Sequence, residues 1–189
     1  MNTLPPKPTR KDALDNRARI LGAAREAFSA SGEVSMTAIA KKAAVGIGTL
    51  YRHFPTREAL VLELYGHDIQ GLIDLAPAML ERYPPLLALR HWFDQVASYA
   101  RLKYGVAEII HTATNGGRDD EYYEPFLAAI ATLLEAGSAD GTLKPGLDPE
   151  DVLVQLSVLW RIDPTQGGAA RAARVLELLI DGLRRRTAP

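Results

Sequence analysis

From Asp12 onward the chain repeats its apolar residues at three- and four-residue intervals, the spacing that lines one face of an α-helix. β-branched runs with period-two alternation are absent, and alanine and leucine dominate. The pattern predicts an all-α protein of about nine helices. A first helix over residues 13–30 puts Ile20, Leu21, Ala24, Ala27 and Phe28 on one face, and Gly32 stops it. Ser35 caps a short second helix with Ile39, Ala40 and Ala43 inward. A break at Ala44, Val45 and Gly46 leads to a third short helix over residues 47–53, closed by Phe54 and Pro55. Thr56 caps a long fourth helix reaching about Arg82, which Pro77 should kink or split. Pro84 and Pro85 open a fifth, to about Tyr104, and Gly105 turns into a sixth over residues 106–114. Asp119 or Asp120 caps a seventh, to about Ala136. Asp148 and Pro149 start an eighth, which the stretch 164–168 separates from a ninth over residues 169–186.

Charge divides this chain unevenly. Residues 1–60 hold ten lysines and arginines against five acids; residues 61–189 hold twelve against eighteen. A basic head on an acidic body points to nucleic acid, although surface charge also fluctuates by chance. The absence of cysteine excludes disulfides, cysteine zinc sites and thiol nucleophiles. The first twenty residues are too polar for a signal peptide, and no apolar run approaches the ~18 residues of a membrane span. The expected location is the cytoplasm, with no membrane partner. His53, His67, His91 and His111 have no metal-binding spacing, and no nucleophile elbow, P-loop or dinucleotide fingerprint is present. The acids Asp119, Asp120, Glu121 and Glu124 suit a helix N-terminus better than a cation site. No metal, cofactor or enzyme activity is expected.

The second and third helices with their tight turn have the form of a helix-turn-helix, in which one helix enters the DNA major groove. Spacing alone fits an ordinary helical corner as well. Ile39, Ala40, Ala43, Val45 and Leu50 would lock the pair. The third helix would present Ile47, Gly48, Thr49, Tyr51, Arg52 and His53, types suited to phosphates and base edges.

The residues go further than periodicity. The stretch from Ser35 to Leu60, with Gly48-Thr-Leu-Tyr-Arg-His-Phe54 followed by Arg57-Glu-Ala-Leu60, closely resembles the signature of the TetR family of transcriptional regulators, and the helix from Arg19 to Gly32 fits the same pattern. The resemblance covers about residues 17–65. Residues 1–12, with three prolines and two lysines before Asp12, read as a flexible basic arm. The resemblance implies a helix-turn-helix head over 13–57 and a ligand-binding and dimerisation body over 58–189, with Ile47 and Arg52 at variable positions of the recognition helix, where Ile47 would meet a thymine methyl if it touches a base and Arg52 could pair bidentately with guanine. It implies phosphate- or groove-facing roles for Thr37, Thr49, Tyr51 and His53, a backbone-phosphate contact for Arg57, and core roles for Leu50 and Phe54. One departure stands out: most members carry glycine where this chain has Ala44. A left-handed backbone there costs alanine roughly 1 kcal/mol.

For the body, the resemblance implies a small-molecule pocket among the fourth to seventh helices and a dimer built by the last two. The residues add to this. The eighth helix is apolar nearly all round (Val152, Leu153, Leu156, Leu159, Trp160, with Val154 and Val158 on another side), and the ninth carries Ala172, Val175, Leu176, Leu179, Ile180 and Leu183. A core pair has the same pattern as an interface. The expected interface is Leu156, Leu159, Trp160, Val175, Leu176, Leu179 and Leu183. The expected pocket residues are Trp92, Gln95, Val96, Tyr99, Ile110, His111, Tyr123 and Phe126, with Gln95, His111 and Thr112 as polar anchors for an apolar or aromatic effector. The expected protein is a homodimeric regulator, released by that small molecule from a palindromic operator. A helical small-molecule-binding or catalytic protein with a relic head is the alternative; it would show no salt-dependent DNA affinity.

Overall fold

The computed structural model describes residues 10–30, 34–113 and 121–185. It forms nine α-helices among those residues, and no β-strand beyond an isolated bridge between Leu143 and Arg184. No helix among them is long and apolar enough to cross a membrane. The chain divides into two compact units, Met1–Leu64 and Tyr65–Pro189.

The first unit contains α1 (Arg10–Ala30), α2 (Met36–Lys42), α3 (Ile47–His53) and the opening turns of α4 (Arg57–Arg82). Each start has a local cause. The Ser35 hydroxyl accepts from the Ala38 N–H at 3.2 Å, and the Thr56 hydroxyl accepts from the Ala59 N–H at 3.1 Å. The core is Ile20, Ala24, Phe28, Ile39, Ala40, Leu50, Phe54, Leu60 and Leu64. Two cations cover its aromatic rings: Arg17 lies 5.0 Å from the Phe54 centroid, and Arg57 lies 5.4 Å from that of Phe28. Arg17 also pairs with Glu63 at 2.5 Å.

The second unit contains the rest of α4, then α5 (Pro85–Lys103), a 3₁₀ turn (Tyr104–Val106), α6 (Ala107–Ala113), α7 (Tyr123–Ala139), α8 (Pro149–Leu156), a second 3₁₀ segment (Ser157–Arg161) and α9 (Gly168–Leu183). Three expectations are corrected. Pro77 does not split α4: its missing N–H removes one hydrogen bond, while Leu72 and Ala76 are buried before it and Met79 and Leu80 pack after it. The helix α7 is not capped by an aspartate. It starts at Tyr123 behind Tyr122, which places Pro125 in the first turn, where its missing N–H costs nothing. A cap at Asp120 would put Pro125 inside the helix; Asp119 and Asp120 themselves lie outside the described residues. The eighth helix does not run on continuously, because after Leu156 the backbone tightens to 3₁₀ and the Ser157 hydroxyl donates to the Val154 carbonyl at 2.7 Å.

The body core gathers around Trp92, Phe93, Val96, Ile130, Leu133, Leu156, Leu159, Leu176 and Ile180. The Trp92 indole donates to the Leu72 carbonyl at 2.7 Å, so its polar atom is satisfied at full burial. A bidentate pair joins α5 to α9: Arg90 donates to both carboxylate oxygens of Glu177, one of them at 2.8 Å. That hydrogen bond holds the Glu177 carboxyl below its ordinary range.

Candidate nucleic-acid interface and body cavity

The turn between α2 and α3 is set by three backbone bonds. Ala43 N–H reaches the Ile39 carbonyl at 2.8 Å, Ala44 N–H the Lys41 carbonyl at 3.2 Å, and Val45 N–H the Ala40 carbonyl at 3.0 Å. Ala44 takes φ 52°, the left-handed region, in the non-glycine residue that the sequence places there. Gly46 then caps α3 through its backbone, with its carbonyl accepting from Thr49 and Leu50. Ile39, Ala40, Ala43 and Leu50 are buried at the contact, and Val45 is half-buried.

This packing turns one face of α3 outward. Ile47, Gly48, Tyr51 and Arg52 are exposed, as is Thr37 on α2; Thr49, His53 and Arg57 are half-buried. Ile47 and Tyr51 are 42% and 46% exposed, a large outlay of apolar surface on a seven-residue helix. Lys41 and Lys42 occupy the last turn of α2, and Lys42 also meets Glu26 at 2.9 Å. The eight residues expected to face DNA therefore share the first unit, on α2, α3 and the first turn of α4. The hydroxyls, guanidinium, imidazole and methyl-bearing side chains of this surface can address phosphates and base edges. The arm, residues 1–12, falls almost wholly outside the described residues.

The second unit holds a cavity of about 330 Å³. Of the eight residues expected to line a pocket, Ile110, His111, Tyr123 and Phe126 do so. The other four are corrected. Trp92 and Val96 are fully buried in the core, and Tyr99 is buried with its ring edge-on to Trp160 at 6.0 Å. Gln95 is exposed away from the cavity, as is the proposed anchor Thr112. The residues that sequence reasoning missed come from three places. Tyr65, Ile69 and Ala107 lie on α4 and α6, and Glu150, Leu153, Val154, Ser157 and Trp160 come from α8 and the 3₁₀ segment behind it; Tyr122, which belongs to the aromatic set of the seventh-helix sequence, lines the cavity just before α7. The usable signal was the apolar excess of the eighth helix, which serves the cavity as well as the core.

Close approach shapes one wall. Gly66 on α4 is buried, and a Cβ there would lie 2.7 Å from the Tyr122 hydroxyl oxygen, so the bare backbone admits the phenol. The Tyr122 ring meets Tyr65 edge-on at 6.0 Å. Across the cavity the Tyr123 hydroxyl donates to Glu150 Oε1 at 2.9 Å, tying α7 to α8.

The interface residues also divide. Leu156, Leu159, Leu176 and Leu183 are buried in the chain's own core, which corrects their expected role as partner-facing side chains. Trp160, Val175 and Leu179 are half-buried. The large apolar side chains that face outward on these elements are Leu178, 74% exposed, Val154, 59%, and Val158, 42%.

Comparison with known proteins follows the same division. Residues 20–64 match the family model of bacterial regulatory proteins, tetR family, and residues 84–185 match that of the C-terminal domain of SbtR-like transcriptional regulators. The HTH-type transcriptional regulator UidR of Escherichia coli is 52% identical over 59 residues, which cover 30% of this chain and 30% of that protein. The matched segment thus spans about a third of the length of the curated relatives. Solved structures are similar along nearly the whole chain. A TetR transcriptional regulator from Streptomyces coelicolor, SCO0520, superposes with a TM-score of 0.75 at 33% identity, over 90% of this chain and 99% of that one. A TetR transcription regulatory protein from Mycobacterium vanbaalenii gives 0.70 at 30% identity, over 93% and 99%.

Proposed function

This chain belongs to the TetR family of bacterial regulatory proteins, and we propose that it is a homodimeric transcriptional repressor that leaves its operator when a small molecule fills the body cavity. The observation that carries the reading is the outward face of α3: Ile47, Gly48, Tyr51 and Arg52 exposed on a helix locked by Leu50 and Ile39 beneath it. Arg52 is the side chain for a bidentate guanine contact and Ile47 for a thymine methyl; Thr37, Thr49, Tyr51, His53 and Arg57 address the backbone.

The dimer in this reading uses the outward positions of the last elements: Leu178, with Val175 and Leu179 beside it on α9, and Val158 and Val154. Two heads would then address half-sites one turn apart, about 34–36 Å. The helix α4 begins with Arg57 and carries Tyr65 and Ile69 of the cavity further along, so an occupant that displaces α4 acts on the element that starts with a DNA contact. A hundredfold loss of occupancy requires the effector to prefer the released conformer by about 2.7 kcal/mol.

Selection of bound duplexes from a random library tests this. The wild type should enrich a palindrome with half-sites about one turn apart. Leu178→Glu, at a side chain that supports no core, should remain folded by circular dichroism, become monomeric in light scattering and lose the palindrome. Enrichment of no sequence, or a palindrome bound equally by a monomeric variant, contradicts the reading.

A further inference from the structure

Glu150 is the one lysine, arginine, aspartate or glutamate among the described residues that line the body cavity. Five aromatic side chains surround the same space: Tyr65, Tyr122, Tyr123, Phe126 and Trp160. From this combination, and resting on the reading of the cavity as the effector site, we propose that the effector is an organic cation: a flat apolar body carrying a quaternary or protonated amine that seats against the Glu150 carboxylate.

Each part of the wall fits this chemistry. A carboxylate offers four acceptor positions, and the Tyr123 hydroxyl occupies one on Oε1, which fixes the group's orientation and leaves others for a donor. Ring faces attract a cation through their quadrupole, most strongly where water is displaced. Tyr65 and Tyr122, edge to face at 6.0 Å, hold one such wall in place. Ile69, Ile110 and Leu153 supply the apolar surface for the body of the molecule. The field at the mouth has the matching sign. The Tyr123 phenol is raised above its ordinary range by its hydrogen bond to Glu150 first, then by desolvation, and then by the charges of Glu150, Glu124 and Asp148. An anionic effector would find no lysine or arginine among the described lining residues, only the His111 imidazole, and would meet the carboxylate. A volume of about 330 Å³ admits a small fused-ring body, at the low end of ligand pockets.

Isothermal titration with three probes of one shape tests the proposal: (2-naphthylmethyl)trimethylammonium, 2-naphthylmethanol and 2-naphthylacetate. The cation should bind at least about tenfold tighter than the other two. Glu150→Gln preserves the acceptor for Tyr123 and removes the charge. It should erase that preference while leaving the affinity for the neutral probe within about twofold, with an unchanged melting temperature as the check on folding. Ala107→Trp, which fills the cavity from α6, should block all three. Equal or tighter binding of the neutral or anionic probe, still blocked by Ala107→Trp, overturns the cation assignment and leaves the cavity as the effector site. So does a preference that survives in Glu150→Gln. No binding of any probe, or binding indifferent to Ala107→Trp, overturns both.

Discussion

Ala44 holds the turn between α2 and α3 at φ 52°, where its Cβ crowds the adjacent carbonyl and a glycine would not. The side chain is exposed, so nothing in the packing calls for the methyl group. Ala44→Gly should therefore raise stability by about 0.5–1 kcal/mol, seen as a melting temperature a few degrees higher; a lower one would mean that the turn is not strained. Residues of this kind were legible in the sequence because their causes are local. Ser35, Thr56 and Asp148 each cap through an N–H two or three residues away. Trp92 and Ile110 show where such legibility ends. Both sit at inward positions of their helices, yet Trp92 fills the core and Ile110 faces a hollow. Periodicity tells which way a side chain points; it does not tell whether a neighbour fills the space there.

Helix boundaries followed proline and cap chemistry wherever a residue had one permissible place, as with Pro85, Pro125 and Pro149 in first turns. Pro77 shows the converse: one lost hydrogen bond within a 26-residue helix packed on both sides of it does not end the helix. Pairings between elements were not legible. Lys103, in the last turn of α5, is 5% exposed and meets Asp68 of α4 at 3.1 Å, with its ammonium 5.6 Å from the Tyr99 ring. A lysine near a helix end ordinarily lies in solvent, and its partner is distant in sequence. Removing one member of such a buried pair leaves the other charge uncompensated. Lys103→Met should cost about 3 kcal/mol in urea unfolding, and adding Asp68→Leu should restore most of it. Additive losses in the double variant would mean that the two side chains contribute separately.

Over the whole molecule, the excess of lysine and arginine in residues 1–60 and of acid in residues 61–189 matches the proposed division of labour, a head for DNA and a body for an effector and a second copy. Which side chains would meet a second copy was the hardest part to read. An apolar residue on α8 or α9 has the same sequence signature whether it closes its own core, as Leu156 and Leu176 do, or faces outward, as Leu178 does. The head is different, since its surface chemistry follows directly from which residues α3 leaves exposed. The central claim, that this surface binds DNA, is tested most directly by the affinity for a selected duplex measured across a range of salt concentrations. The account predicts a steep fall in affinity as salt rises. Tyr51→Ala should bind more weakly with the same slope, and Arg57→Ala more weakly with a slope shallower by about one, because one phosphate-neutralising cation is gone. Affinity independent of salt, or both variants binding like wild type at ~150 mM, would contradict it.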